Sequence, residues 1–276
     1  MTTRAGGVPN EQERWPRVVG APHPGLRPLL ACQYAGFTEA TEPGGGFVLP
    51  ATTSVVLVLK MEESALRPPQ FVNGAHGVYA QVDGPCAPSY VEIRLAPLAG
   101  YPMLGLPMDE LAGQLVDLSD VLGHDGRRLG DLVRDTSDWA ARFRVIDQFL
   151  LRRLNHGPRV SPEVAFAWSR LVATGGAMSV RRLAGETGWS HKHLITRFRQ
   201  QVGVPPKRAA RLVRFDRVLR RLDDGRPEWA QLAAELGYAD QAHLVREFRE
   251  FTGTSPGAFL AARQPRSAHD DVAVGS

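Results

Sequence analysis

The chain has 276 residues, of which 43% are apolar and 22% charged, a composition that is ordinary for globular proteins and excludes a fibrous or wholly disordered chain. The formal net charge of +4 is unevenly distributed, because residues 157–266 hold 19 Lys and Arg against 10 Asp and Glu. A basic C-terminal part beside an acidic N-terminal part is expected when one part alone meets a polyanion. The longest apolar run, residues 55–59, is far too short to span a bilayer, so we expect a soluble, cytoplasmic protein without membrane contact.

The residues that could carry catalysis are isolated in the sequence. Cys32 and Cys86 form no CxxC pair, so neither a disulfide framework nor a zinc site is indicated. His76 and His124 have no HxH partner or carboxylate cluster, and the sequence has no phosphate loop or Gly-x-Ser-x-Gly elbow. We therefore expect no metal, no cofactor and no catalytic residue, and we expect that the protein is not an enzyme.

The first 106 residues are predicted to form a small β domain. Residues 1–20 read as a flexible arm rich in Gly, Pro and charge. Residues 21–106 alternate short apolar runs with Pro and Gly clusters such as Val72-Asn73-Gly74, which is typical of a small β-sandwich or a cupin-like barrel, here a sensor domain. The predicted strands are residues 47–49, 54–60, 77–82 and 90–95. These patterns indicate the fold alone, and the sensor role is what the family resemblance described below implies.

The pattern becomes helical from residue 107. Residues 107–118 have an acidic first turn after a proline, and residues 129–154 carry a broad apolar stripe at helical spacing. The segment 107–156 is therefore either domain core or a dimer interface, and both alternatives stay open. Asn155-His156-Gly157-Pro158 breaks the helix and marks a boundary, and residues 264–276 read as a disordered tail.

Residues 159–263 contain a helix-turn-helix pattern that is written twice. The motif Leu183-Ala184-Gly185-Glu186-Thr187-Gly188-Trp189-Ser190 recurs as Leu232-Ala233-Ala234-Glu235-Leu236-Gly237-Tyr238-Ala239. A His-Leu pair and a phenylalanine follow in each copy. The pattern predicts an all-α domain with two DNA-reading units, so the whole chain is expected to be of the α+β class.

In the first unit, Ser179 is expected to cap a support helix and Ser190 to cap the reader helix. The turn glycine Gly188 lies between them, and Leu194 and Phe198 are the expected buried anchors of the reader. At about 100° per residue, the opposite face of the reader is offered to a groove. That face carries Lys192, Thr196 and Arg199, with Ile195 on its flank.

A long helix from Pro205-Pro206 to about Leu222 is predicted to join the two units. Its roughly 17 residues span about 25 Å, which brings the two readers toward the roughly 34 Å between successive major-groove faces of B-DNA. The exposed face of the second reader carries Gln241, Ala242, Val245, Arg246 and Arg249. Arg and Gln can pair with guanine and adenine, and small apolar side chains can contact the thymine methyl. Arg199, Arg249 and parts of the long helix are instead expected to contact phosphates.

The repeat resembles the DNA-binding domain of the AraC/XylS family of bacterial transcription regulators. The resemblance includes both Leu-Ala starts, both turn glycines with their aromatic neighbours, both His-Leu pairs, and the endings Gly203-Val204-Pro205-Pro206 and Gly253-Thr254-Ser255-Pro256. It implies base contacts from Lys192, Ile195 and Thr196 and from Gln241, Ala242, His243, Val245 and Arg246. It also implies a regulator that binds double-stranded DNA and works with RNA polymerase, with a small-molecule effector and a homodimer as candidate partners. The N-terminal part resembles the sensor-type domain of actinobacterial members.

Three other interpretations compete with the regulator. A helical bundle could carry a basic face that is merely solvated, and His191-Lys192-His193 could suggest a metal site, although residues two apart on a helix point in different directions. A DNA-repair methyl acceptor fused to this kind of domain would need a reactive cysteine with basic neighbours or a four-cysteine zinc cluster. Neither Cys32 nor Cys86 supplies that pattern.

Overall fold

The computed structural model describes residues 16–38, 47–62, 67–82, 87–223 and 227–263. The predicted arm up to residue 15 and the predicted tail 264–276 lie outside these residues. Within the described ranges, the helices are too short or too polar to cross a membrane.

Two antiparallel sheets form the N-terminal part, as the sequence predicts. The larger sheet has the strand order β1-β2-β7-β4-β5-β8, and the smaller one pairs β3 with β6. The strands are β1 (Arg17–Gly20), β2 (Tyr34–Phe37), β3 (Phe47–Leu49), β4 (Val55–Lys60), β5 (Gln70–Asn73), β6 (Ala80–Val82), β7 (Tyr90–Leu95) and β8 (Leu115–Asp117).

The central strands β4 and β7 set the two faces of the large sheet. Val55, Leu57 and Leu59 of β4 lie on the face that packs in the main core. The alternate residues of both strands point to the opposite face. There Glu92 and Arg94 line a cavity, and Glu92 is only 3% exposed. The alternation of apolar and polar residues in β7 therefore follows a cavity inside the protein and not a solvent-exposed face of the sheet.

Three segments depart from the predicted elements. Arg17–Gly20 pairs with β2, so four residues of the predicted arm are a strand. Gln70–Asn73 is a strand where the sequence suggested a turn, because Phe71 and Val72 are both buried between β4 and β8. Leu115 does not continue a helix from residue 107, since Met108–Glu110 is one 3-10 turn and β8 follows it.

The helices of the N-terminal part cover the large sheet on one face. They are α1 (Gly100–Leu104), α2 (Leu118–Leu122), α3 (His124–Asp135) and α4 (Trp139–His156). The apolar stripe 129–154 is thus split over α3 and α4, because the Asp138 carboxylate caps α4 by accepting from the Ala141 N–H at 2.8 Å. Phe143, Ile146 and Phe149 lie in the main core, so the stripe serves as intradomain core.

The C-terminal part is all-α, as predicted. Its helices are α5 (Pro162–Ala173), α6 (Val180–Thr187), α7 (His191–Val202), α8 (Pro206–Asp223), α9 (Trp229–Glu235), α10 (Gln241–Thr252) and α11 (Pro256–Arg263). Two separate clusters of buried side chains form its interior. One surrounds Phe198 of α7 and the other surrounds Phe248 of α10, so each helix-turn-helix unit has a core of its own.

Candidate nucleic-acid interface

The turn between support helix and reader helix has the same construction in both units. Gly188 and Gly237 have φ values of 72° and 77°, a left-handed conformation in which most other residues are strained. Among the described residues, apart from the chain next to each glycine, no heavy atom lies within 4 Å of the place where either glycine would carry a Cβ. The backbone angle, and not a shortage of space, therefore requires glycine at both turns.

Each reader helix begins at a side-chain cap. The Ser190 hydroxyl accepts from the His193 N–H at 3.2 Å, as the sequence predicts for α7. The sequence analysis missed the corresponding cap of α10, where the Asp240 carboxylate accepts from the His243 N–H at 2.6 Å. Counting back three residues from the histidine of each His-Leu pair would have found both caps.

The repeated aromatic and histidine residues pack against each other at the turn. Trp189 meets His193 edge-on with ring centroids 4.5 Å apart, and Tyr238 meets His243 in the same manner at 5.2 Å. The His243 Nδ1 also accepts from the Ala239 N–H at 3.3 Å. Both histidines thus help to hold the turn, and the predicted base contact from His243 has to be compatible with this role.

The faces of the two readers divide as the helical periodicity predicts. Leu194 and Phe198 of α7, and Leu244 and Phe248 of α10, are buried against their support helices. The predicted DNA-contacting side chains lie on the other faces. Lys192, Thr196, Arg199, Gln241, Ala242, Arg246 and Arg249 are exposed, and Ile195, His243 and Val245 are half-buried.

Arg199 differs from the other exposed side chains because it faces the N-terminal part. Its Nη2 lies 3.4 Å from Oδ2 of Asp109, which sits on the 3-10 turn before β8. Half of the Arg199 side chain is exposed, so this ion pair is expected to contribute little to stability. A phosphate and Asp109 would compete for the same guanidinium group.

Three arginines on one face of α8 form ion pairs with acidic residues of the second reader helix, α10. They are Arg208, Arg211 and Arg214. Arg211 Nε lies 2.6 Å from a carboxylate oxygen of Glu247 on α10, and Arg214 Nη2 lies 3.4 Å from the same oxygen. Arg208 and Arg211 also pair with Glu250. In the structure these three arginines are therefore paired with acidic residues of α10, and any phosphate contact from α8 is expected from its other residues.

The Glu247 carboxylate is the centre of this arrangement. It is 1% exposed and also accepts from the Tyr238 hydroxyl at 2.9 Å, so the reader, its turn and α8 meet at one buried anion. Burial, together with the neighbouring Glu247, raises the pKa of Tyr238. Hydrogen bonding to Arg211 lowers the pKa of Glu250. The charges lock α10 onto α8, and the sequence contains no simple signal that would distinguish them from a solvated basic face.

A cavity of ≈ 60 Å³ lies between the two sheets of the N-terminal part. At about 10–15 Å³ per water molecule, it has room for a handful of waters or one compact small molecule. Its walls mix apolar side chains with a few polar ones, and the Arg94 Nε lies 2.5 Å from the Glu92 carboxylate. The residues that line the cavity are Leu49, Pro50, Thr52, Val56, Val58, Arg67, Phe71, Asn73, His76, Tyr90, Glu92, Arg94 and Leu115.

The described residues contain no group of three or more His, Cys, Asp or Glu side chains that could hold a metal ion. Burial raises the pKa of the Cys32 thiol, which is the opposite of what a nucleophilic methyl acceptor requires. Cys86 lies outside the described residues.

The two capped reader helices, each with a polar face and a core of its own, define the C-terminal part as a tandem helix-turn-helix unit of the DNA-binding type. A comparison with protein families identifies the type of this domain. Residues 183–262 match the family described as "Helix-turn-helix domain", and they form a helix-turn-helix domain of the AraC type.

A comparison with solved structures gave matches that include the following two proteins. The C-terminal domain of AraT, a response regulator from Geobacillus stearothermophilus, is 19% identical, and the match covers 42% of this chain and 97% of that one with a TM-score of 0.36. ToxT from Vibrio cholerae is 10% identical, and the match covers 83% of this chain and 98% of that one with a TM-score of 0.45. A comparison with curated proteins gave no match.

Proposed function

We propose that the chain is a sequence-specific transcription regulator that inserts α7 and α10 into successive major grooves of double-stranded DNA. The observation that carries the proposal is the joint geometry of two reader helices. Each has its apolar side packed in its own core and its predicted base-contacting side exposed. The connecting helix α8 has 18 residues and is about 27 Å long, a span compatible with readers about one helical turn of DNA apart.

The proposed contacts fall into two groups. Lys192, Ile195 and Thr196 on α7 would touch base edges, as would a second set on α10. That set is Gln241, Ala242, His243, Val245 and Arg246. Arg249 and Arg199 would contact phosphates, and Arg199 would exchange Asp109 for the DNA backbone when it does so.

Several further properties belong to the same proposal. The domain boundaries at about residues 106, 156 and 159 separate a sensor domain, a helical segment and the DNA-binding domain. The protein acts in the cytoplasm without enzymatic activity, with RNA polymerase and a second copy of the chain as partners. A small-molecule effector would occupy the cavity between the two sheets, which is enclosed mainly by apolar side chains but contains the Glu92–Arg94 pair.

The proposal is tested by selecting bound duplexes from a random-sequence DNA pool with the full-length protein. The expected result is a bipartite consensus of two half-sites separated by about one helical turn. Recovery of sequences without a consensus, or a consensus with a single half-site, would contradict the proposal.

A further inference from the structure

Two short segments of the N-terminal part lie against both helix-turn-helix units, in addition to other contacts with the first unit such as the ion pair between Asp109 and Arg199. Residues 50–52 and residues 74–79 lie side by side and together form what we call the connecting bridge. Thr52 and His76 exchange two backbone hydrogen bonds, with N–H to O distances of 2.9 and 3.0 Å. The two segments are thus fixed to each other at the rim of the cavity.

Side chains on the connecting bridge alternate between two directions, as they do on any extended segment. Pro50, Thr52 and His76 line the cavity. Ala51 and Ala75, which lie between and beside them in sequence, are buried in the cores of the helix-turn-helix units. A displacement of the cavity side of the bridge therefore moves its other side as well, because both belong to the same few peptide units.

The second unit rests on the bridge at three places. The Ala51 N–H donates to the Phe251 carbonyl at the end of α10 at 2.9 Å. A Cβ on Gly253, the residue that ends α10, would lie 3.0 Å from the Tyr79 ring. A Cβ on Gly77 would lie 3.0 Å from the Arg208 side chain on α8. The bridge is thus tightly packed against the end of α10 and against α8.

The first unit rests on the same bridge through the residue that ends its own reader. Gly203 follows α7, and a Cβ there would lie 3.2 Å from the Ala75 side chain and 3.3 Å from the Met108 carbonyl. The carboxyl-terminal ends of both readers thus contact one small segment of the N-terminal part. The separation of the two readers is set by this segment as well as by α8.

His76 ties the two strands of the bridge together. Its ring nitrogens lie 3.1 Å from the Gly74 carbonyl and 2.9 Å from the Pro50 carbonyl, so the imidazole spans both segments from the cavity side. The side chain is 8% exposed. His76 and its neighbour Thr52 both line the cavity.

We propose that the connecting bridge transmits occupancy of the cavity to the separation of the two reader helices, with His76 as the positioning residue. The proposal rests on the proposed function, because it assumes that both readers bind one duplex. Filling the cavity would push Pro50, Thr52 and His76 outward and shift Ala51 and Ala75 against the ends of α10 and α7. The effect is confined to DNA that engages both readers, since each unit keeps its own core.

The test uses the full-length protein and two duplexes. One is the two-site sequence selected by the wild-type protein from a random pool, and the other is the same sequence with one half-site scrambled. Val56→Phe fills the cavity from β4, and His76→Ala unties the bridge. Val19→Phe on the exposed edge strand β1 and His124→Ala on the surface of α3 are the matched controls.

Both test variants are expected to weaken binding to the two-site duplex by about fivefold or more, the range typical of coupling between sites. Binding to the one-site duplex should change by less than about twofold, which also reports that the readers are folded. The controls should change neither. If the test variants lose equal affinity for both duplexes, or lose affinity for neither, the inference is overturned. The proposed function still stands in that case, provided that the wild-type protein prefers the two-site duplex. A wild-type protein that binds both duplexes equally would overturn both.

Discussion

Among the charged residues that join α8 to α10, Glu247 is expected to be the one whose removal destabilises the second helix-turn-helix unit most. The side chain is 1% exposed and has three charged or polar partners, Arg211 and Arg214 on α8 and Tyr238 at the turn. Removing one member of a buried ion pair costs about 3–5 kcal/mol. We expect the low end for Glu247→Ala, about 3 kcal/mol, because Arg211 is 26% exposed and keeps Glu250 as a partner.

The assay is amide hydrogen exchange of α9 and α10 in the full-length protein, since it reports local opening rather than unfolding of the whole chain. A loss of about 3 kcal/mol corresponds to exchange faster by about two orders of magnitude. The control is Glu235→Ala, which removes an exposed carboxylate 3.2 Å from Arg221 and should cost at most about 1 kcal/mol. Equal acceleration in the two variants would refute the view that burial of Glu247 makes it important.

Three further predictions concern the turn, the bridge and the reader. Gly237→Ala should lower the free energy of unfolding of the second unit by about 1–2 kcal/mol in urea titrations, because φ is 77° and nothing else opposes a Cβ; Gly237→Asn should cost less, and equal costs would show that the angle is not the cause. Burial lowers the pKa of His76 in the folded protein, so just below pH 6.5 this histidine is protonated to a greater extent in the unfolded chain than in the folded one. The free energy of unfolding should therefore fall as the pH drops below about 6.5. That acid loss should diminish in His76→Gln, and an unchanged pH profile would contradict it. Arg246→Ala should cost about 1–3 kcal/mol on the selected duplex and relax preference at one base pair, whereas Arg249→Ala should weaken all sequences alike and reduce the salt dependence by about one unit; identical behaviour of the two variants would contradict the division into base and phosphate contacts.

The C-terminal part could be predicted closely from the sequence because its signals are local. Glycines at the turns, the serine hydroxyls before the two helices of the first unit, and apolar residues three or four apart determine turns, caps and buried faces within a few residues of themselves. Ser179, Gly188 and Ser190 take the positions that these rules assign.

The N-terminal part was predicted less completely because its elements depend on distant partners. β5 is a strand through its pairing with β4 and β8, although Asn73 and Gly74 favour a turn locally. The charged residues of β7 suggest a wet face, yet they line a cavity that exists only once the second sheet is in place. The apolar stripe over α3 and α4 hides a helix end that only Asp138 marks.

The roles of the arginines on α8 could not be predicted from helical periodicity either. Arg208, Arg211 and Arg214 occupy the face of α8 that meets Glu247 and Glu250, which lie 33 to 42 residues away in the chain. These arginines contribute to the basic composition of the C-terminal part, but in the structure Glu247 and Glu250 of α10 balance their charge. Lys192, Arg246 and Arg249 remain exposed on the readers.

The most direct measurement is the affinity of the full-length protein for its selected duplex when about five base pairs, half a helical turn, are inserted between the two half-sites. If the two readers enter successive major grooves from one side of the duplex, as proposed, they cannot both reach their grooves after this insertion, so the affinity should fall to that of a duplex with a single half-site. An affinity that is unchanged by the insertion would contradict the account.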